Sequence, residues 1–330
     1  MTPGSWRSMR LLAGLVVLGA VLWWTGTGPF IDGFSSLDGG TLALGAAIAV
    51  PTTVACAVRW RLVARGLGVE VDLAPAVASY YRSQFLNTTL PAGIVGDVHR
   101  GLRHGRAAGD AVLGLRSVAW ERAAGQVVQV VIAALVLLLL PSPVRISAPA
   151  VLGVLLAVIL AAVVLRNGLP TEGTSRVTRV LLAARDDLRR GVLSRRAWPG
   201  VVLASMVALA GHVATYVVAA RAVGVTTSPA RLLPLALLVL LAMAIPLNIA
   251  GWGPREGMAA WAFAAAGLGA GAGVATAVAY GAMVTVASLP GAVVLIGTSL
   301  RRREVRQKFS PPFASPAMLP QMAQGGGPRG

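Results

Sequence analysis

Charge is scarce in this chain. Of 330 residues, 12% are Asp, Glu, Lys or Arg, against about 25% in ordinary soluble domains, which excludes a water-facing globular surface. Lys308 is the one lysine, so the basic charge is almost entirely arginine. A single cysteine, Cys56, stands in an apolar run, which excludes a disulfide framework and a cysteine-based metal site. His99, His104 and His212 lack metal-ligand spacing with one another, so no metal is expected. The glycine-rich stretches carry neither a Walker lysine nor a dinucleotide fingerprint, and no Ser or Thr sits in a nucleophile–base motif. No cofactor and no catalytic residue are therefore expected, and the chain reads as something other than an enzyme.

What is abundant is apolar. Hydrophobic residues make up 56% of the chain and mean hydropathy is +0.73. Solid Leu/Val/Ala runs approach the roughly 20 residues a helix needs to cross a bilayer, and the short alternating segments of a membrane barrel are missing. The fold class is all-α, a polytopic helical membrane protein. A net charge of +17 in a soluble protein would point to nucleic acid. Here the arginines fall mostly in loops between apolar runs, the positive-inside pattern, so the expected partners are membrane lipids with anionic headgroups rather than nucleic acid. The Ala/Gly/Arg-heavy composition with one lysine suggests a GC-rich bacterial genome, hence a multi-pass protein of the plasma (inner) membrane.

Taken in order, Leu11–Trp24 reads as a first span after Arg7 and Arg10, in preference to a signal peptide because no small-residue cleavage site follows Trp24. Thr41–Val58 is the second span, with Pro51 as a kink, and Arg59, Arg61 and Arg65 mark the return to the cytoplasm. Val118–Leu140, Ala148–Leu165, Gly200–Val223 and Ala272–Leu300 complete about six full spans. This divides the chain into a first membrane half (1–165), a basic cytoplasmic loop (166–196), a second membrane half (197–300) and a disordered cytoplasmic tail (301–330), with both termini inside. Within the loop, 177–193 could lie as an amphipathic helix on the membrane surface or serve as a solvated connector.

Two stretches interrupt this pattern in the same way. Gln84–Arg106 runs apolar into Pro91, turns at Gly93 and Gly96, then delivers Asp97, Arg100, Arg103 and Arg106. Ala244–Gly257 runs apolar into Pro246, turns at Gly251 and Gly253, then delivers Arg255 and Glu256. Proline ends the preceding helix and glycine permits the tight turn. Basic residues flank 73–106 on both sides, so it reads as a re-entrant hairpin, with irregular backbone tolerated only beside a cavity. The matching element at 231–268 is a second broken hairpin, or two crossings giving eight spans. The hairpin reading makes an inverted repeat, an arrangement that places binding sites near the membrane midplane.

Charges at membrane depth are costly unless paired or facing a polar cavity. Arg82, Asp97, Arg100, Glu121, Arg122, Arg255 and Glu256 are the candidates for a lipid-headgroup cleft. Guanidinium forks bind phosphate oxygens bidentately, carboxylates orient them, and helix N-termini after the turns add N–H donors. Structural ion pairing of the hairpins is the competing account of each residue. His212, inside a span, reads as a core residue hydrogen-bonded to a neighbouring helix rather than a proton relay.

LPAGIVGDVHR with the later VAWERAAG, and IPLNIAGWGPREG, resemble the two signatures of the lysylphosphatidylglycerol synthase transmembrane-region family, also called flippase-like integral membrane proteins. The resemblance covers about residues 10–300, and Asp97, Arg100, Glu121, Arg122, Arg255 and Glu256 fall on its shared positions. It implies a membrane region that moves a lipid between leaflets, without the soluble aminoacyl-transfer domain of the synthases. A flippase or transporter for an anionic or phosphate-linked lipid is therefore the leading expectation. The alternatives are a membrane-embedded glycosyltransferase or accessory subunit acting on polyprenyl-phosphate lipids, and a scaffold that holds a partner enzyme at loop 166–196.

Overall fold

The structure is a computed structural model, which describes residues 3–90, 93–139, 148–167, 176–244 and 252–308. Among the described residues helices account for nearly all of the backbone and no strand occurs. In chain order they are α1 (Pro3–Thr25), α2 (Gly28–Ser35), α3 (Gly39–Gly66), α4 (Leu73–Thr89), α5 (Val95–Ala107), α6 (Ala111–Leu139) and α7 (Ala148–Asn167). They continue with α8 (Arg176–Asp187), α9 (Trp198–Ala222), α10 (Pro229–Ala242), α11 (Pro254–Ala265), α12 (Ala270–Ser288) and α13 (Pro290–Lys308). A π-helical turn, Leu188–Val192, follows α8. Residues through Val294 form one compact unit.

α3, α6, α9 and α12 with the start of α13 are long and apolar enough to cross a membrane. A fifth candidate is the pair α1 and α2, bent by 94° at Gly26. Large apolar side chains such as Leu135, Leu156, Leu203 and Met206 remain exposed on α6, α7 and α9, as expected of helices facing lipid rather than water. This is a multi-pass helical membrane protein.

Several boundaries differ from the sequence reading for identifiable reasons. α3 does not stop at Val58 but runs on to Gly66, because Arg59 is buried rather than marking an exit to water. α6 begins at Ala111, not Val118, so Glu121 and Arg122 sit in its third turn instead of its first. Asp110 sets that start, its Oδ1 accepting the amide N–H groups of Val112 and Leu113, each at 2.9 Å. The stretch after Trp24, left between the first two expected spans, folds into α2, whose Gly33 sits against Ala275 and Val278 of α12. α13 continues to Lys308, past the expected end of the last span, while 309–330 lie outside the described residues.

Two apolar clusters organise the interior. One joins Trp60 of α3, Tyr80 of α4, Val118 of α6 and Ala204 and Ala208 of α9. The other joins Tyr216 of α9, Leu232 and Leu235 of α10, Phe263 of α11 and Tyr280 and Met283 of α12. Small residues let the backbones meet closely. Gly101 and Gly105 of α5 pack directly on Gly114 of α6, and Gly273 of α12 packs on Ala259 of α11. α3 lies along α9, bringing the two clusters together. Either side of α8, the order of elements recurs: long helix, shorter helix, break, short helix, long helix.

Candidate functional site

The break between α4 and α5 and the break between α10 and α11 end alike. Gly93 has φ +59° and Gly253 has φ +125°, conformations that a side chain would strain. Each precedes a short helix carrying a carboxylate in its first turn, Asp97 on α5 and Glu256 on α11, where the helix dipole favours negative charge. Glu256 also caps its helix, accepting the Gly253 N–H at 2.7 Å. In the first half Asn87 fixes the turn instead. Its Oδ1 accepts the Gly96 N–H at 2.8 Å while its Nδ2 donates to Asp97 Oδ2 at 2.9 Å. Of the turn residues predicted from sequence, Gly93, Gly96 and Gly253 are described, whereas Pro91, Pro246 and Gly251 lie outside the described residues.

In the first half a buried network has Glu121 at its centre. Arg59 of α3 donates to Glu121 Oε1 from Nε at 2.7 Å and from Nη2 at 2.5 Å. Tyr80 of α4 donates to the same oxygen at 3.2 Å, and Arg100 of α5 donates to Oε2 at 3.0 Å. Arg100 also reaches Asp97 Oδ1 at 3.1 Å, and Asp97 accepts from Ser83 at 2.9 Å. Arg122 pairs with the other oxygen of Asp97. The Arg100 guanidinium lies between two rings, 4.5 Å from the Trp60 centroid and 4.2 Å from that of Tyr80, a cation–π cage. Its Nε and Nη1 have no hydrogen-bond acceptor among the described residues, so the ring faces are what offset their burial.

The second half has a smaller version of the same arrangement. Arg255 donates to Glu256 Oε1 from Nε at 2.8 Å and from Nη2 at 2.5 Å. Its guanidinium lies 5.3 Å from the Trp252 centroid and 5.8 Å from that of Tyr280. Glycines make room for the guanidinium groups. A Cβ at Gly125 of α6 would fall 2.6 Å from Arg59 Nη1, and one at Gly281 of α12 would overlap Arg255.

Between these two constellations lies a partly open cavity of about 750 Å³. Arg59, Asp97 and Arg122 line it from the first half, Trp252, Arg255 and Tyr280 from the second, with apolar walls from residues such as Val118, Leu209, Leu240 and Val284. Arg122 presents nearly half of its side chain, 45% exposed. Ile94, which immediately precedes α5, and Pro254, the first residue of α11, join the lining. Three guanidiniums thus face one carboxylate in a low-dielectric surround, because Glu121 and Glu256 stand behind the arginines they hold. Such a chamber favours an anion, and its apolar walls suit the body of an amphiphile.

The structure therefore brings Asp97, Arg100, Glu121 and Arg122 together, and places Arg255 and Glu256 across the cavity from them. Arg82 is not among these residues. It is buried on α4 with Nη2 3.5 Å from Ser79 Oγ. At about 100° per residue it falls on the far side of that helix from Tyr80, Gln84 and Asn87. Sequence reasoning missed Arg59, Trp60, Tyr80 and Asn87, and on the other side Trp252 and Tyr280. A readable signal existed for two of them. Trp60 follows Arg59 as Trp252 precedes the Gly-Pro-Arg turn, so each half sets a tryptophan close in sequence to an arginine.

Among the described residues no group of three or more His, Cys, Asp or Glu side chains is arranged to hold a metal ion. No curated protein and no solved structure matches the chain. A family profile described as lysylphosphatidylglycerol synthase TM region matches residues 11–291. That span takes in both broken elements, the four long helices up to Gly291 and every residue lining the cavity, and the chain belongs to the lysylphosphatidylglycerol synthase TM-region family.

Proposed function

We propose that the chain is a lipid translocator of a bacterial inner membrane, moving an anionic or phosphate-linked lipid between leaflets and carrying out no bond chemistry of its own. The observation that carries this reading is the cavity, where Arg59, Arg122 and Arg255 outnumber Asp97 and two helix N-termini converge. The headgroup phosphate sits between Arg122 and Arg255, and the acyl or polyprenyl chains stay along the apolar walls and the bilayer. Membership of a family concerned with phospholipid synthases supports lipid as the cargo class. Paired broken helices from two halves of like element order support an inverted repeat in which the cavity opens alternately to either side.

A scaffold role has one observation in its favour. Asp187, just before the π-helical turn, accepts from Trp120 Nε1 at 2.9 Å and from Arg116 Nε at 2.7 Å, fixing part of the basic connector on α6 as a defined surface. No comparable feature favours a glycosyltransferase.

Native mass spectrometry of the protein drawn gently from its own membrane, beside Arg255→Ala and Arg255→Lys, tests the translocator reading. A defined phosphate-bearing lipid retained by the parent, lost by Arg255→Ala and partly kept by Arg255→Lys is the expected result. Equal retention of mixed lipids in all three, with every variant folded, would overturn it.

A further inference from the structure

Arginines and apolar walls are not all that lines the cavity. On α6, Arg122, Gln126 and Gln129 all face into its lining, and spacings of four and three residues set them in one stripe along that helix. The stripe covers about 10 Å of helix axis and lies in the middle of α6, one of the helices long and apolar enough to cross a membrane. Amides at such a place are costly unless paired. The ordinary account of a glutamine in a membrane helix is a hydrogen bond to its neighbour. Gln129 does not fit that account, since its Nε2 is buried and has no acceptor among the described residues. Gln84 of α4 adds a third amide to the lining, its Oε1 accepting from Thr53 at 3.2 Å and its NH2 group remaining a donor.

Asp97, Asn87 and His212 of the same wall are already engaged. Asp97, the one carboxylate among the described lining residues, accepts from Ser83, Asn87 and Arg100 and pairs with Arg122. Asn87 spends both ends of its amide, on Asp97 and on the Gly96 N–H. His212 of α9, expected to be a core residue held by a neighbouring helix, has Nδ1 2.9 Å from Tyr280 Oη of α12. A cationic headgroup would therefore meet Arg59, Arg122 and Arg255 with no unpaired carboxylate to receive it. A headgroup of neutral hydroxyls would meet the glutamines. Each amide donates through its NH2 group and accepts through its carbonyl oxygen, and a hydroxyl likewise does both.

Resting on the translocator reading, we infer that the cargo is a phosphodiester lipid whose headgroup ends in a neutral polyol, such as glycerol, inositol or a single sugar, rather than in an amine. The phosphate sits at Arg122 and Arg255, and the hydroxyls lie along α6 against Gln126 and Gln129. Selection follows from the buried donor of Gln129. A hydroxyl oxygen supplies the acceptor it lacks, whereas a phosphodiester capped by a methyl group leaves it unpaired. An ammonium fails twice, because it donates without accepting and adds a fourth cation to the wall.

The test is isothermal titration of the full-length, detergent-solubilised protein with the dioctanoyl forms of phosphatidylinositol, phosphatidylglycerol, phosphatidylethanolamine and phosphatidylmethanol. Phosphatidylmethanol carries the same phosphodiester charge as the two polyol lipids and has no headgroup hydroxyl, so it reports the phosphate grip alone. The parent should bind both polyol lipids about tenfold more tightly than phosphatidylmethanol, the worth of one or two neutral hydrogen bonds, and phosphatidylethanolamine least of all. Gln129→Leu should bring the polyol lipids down to the phosphatidylmethanol level. Its binding of phosphatidylmethanol should stay at the parent's value, which also shows that the variant is folded. Gln126→Leu should narrow the gap in part, and Arg255→Ala should weaken all three anionic lipids together. Equal affinity of the parent for polyol lipids and phosphatidylmethanol, tighter binding of phosphatidylethanolamine, or a polyol preference that survives both glutamine substitutions would overturn the inference while leaving the translocator reading intact. No binding of any anionic lipid by the parent would overturn both.

Discussion

The Arg100 and Arg255 sites share a plan and differ in depth. Each sets a guanidinium against a glutamate and between a tryptophan and a tyrosine. Arg100 is sealed, its side chain without exposure, and the network reaches the cavity through Asp97, Arg122, Arg59, Tyr80 and Asn87 instead. Arg255 lines the cavity itself and has one carboxylate behind it. A buried charge cluster loses heavily when one member is removed, and an arginine at a cavity wall is free to bind. On the proposed function, the sealed Arg100 site holds and the Arg255 site grips, with Arg122 meeting the headgroup from the opposite wall.

The largest expected effect comes from attacking the sealed site. Glu121→Gln leaves the Arg59 and Arg100 guanidiniums without their shared counter-charge, and breaking a buried pair of this kind costs about 3–5 kcal/mol. The variant should lose most of its monodisperse, thermally cooperative population in detergent. Glu256→Gln keeps an acceptor for the Gly253 N–H and strips one pair rather than a network, so it should unfold closer to the parent. If the two variants were equally destabilised, the division into a holding site and a gripping site would collapse.

Glycine substitution sharpens the same contrast at smaller cost. Gly281→Ala crowds Arg255 at the cavity wall, while Gly125→Ala crowds Arg59 against Glu121. Overpacking of this sort costs about 1–3 kcal/mol. The expected split is functional. Gly281→Ala loses retained phosphate-bearing lipid by native mass spectrometry with a modest fall in melting temperature. Gly125→Ala shows the larger fall in melting temperature.

How far this was legible from sequence follows the same division. The second half's site is local: Gly253, Arg255 and Glu256 sit within four residues, and the turn chemistry that displays them is written in the glycines and prolines. The membrane-helix class and the breaks before Asp97 and Glu256 were legible too, since apolar runs and helix breakers are local signals, although the described residues hold four or five candidate spans against the six read from sequence. The first half's network is not. Arg59 and Glu121 are 62 residues apart, and an arginine at the end of an apolar run carries the same signature whether it meets water or a buried glutamate. The burial of Arg59 depends on Gly125 standing opposite, a tertiary coincidence that no window of sequence displays. The same holds for the start of α6, where Asp110 extends the helix by nearly two turns beyond the apolar run. Arg82 failed for the opposite reason. It was picked as a charge within an apolar stretch, and only the register of α4 shows that it turns away from the cavity.

A smaller effect is expected where the basic connector meets α6. Asp187→Asn keeps one acceptor oxygen for Trp120 and Arg116 Nε but sets its NH2 against Arg116 Nη2 and removes the charge. Asp187 is buried while Arg116 is partly exposed, so the loss exceeds the about 0–1 kcal/mol of a surface pair and stays below that of a sealed cluster. The melting temperature should fall modestly, while limited proteolysis within 176–196 speeds up. Unchanged proteolysis would mean that the π-helical turn, rather than the ion pair, fixes the connector.

The smallest effect compares the starts of the two long helices that pack together. α3 is capped by Asp38, whose Oδ1 accepts the Thr41 N–H at 2.6 Å. α9 starts at Trp198 without a side-chain cap from Ala197. Asp38 is fully exposed, and the Thr41 N–H, by favouring the carboxylate, holds its pKa below the ordinary value. A depressed folded pKa means stabilisation that is complete above the unfolded value and is lost as pH falls through the folded one. Protection of the 39–45 amides, corrected for intrinsic exchange, should therefore stay constant at neutral pH and decline only below about pH 4, the usual aspartate range. Asp38→Asn, which still caps but does not titrate, should show no such decline, and the first turn of α9 should show none in either protein. A decline at α9 equal to that at α3 would mean that acid loosens the packed pair as a whole and that the cap contributes nothing of its own.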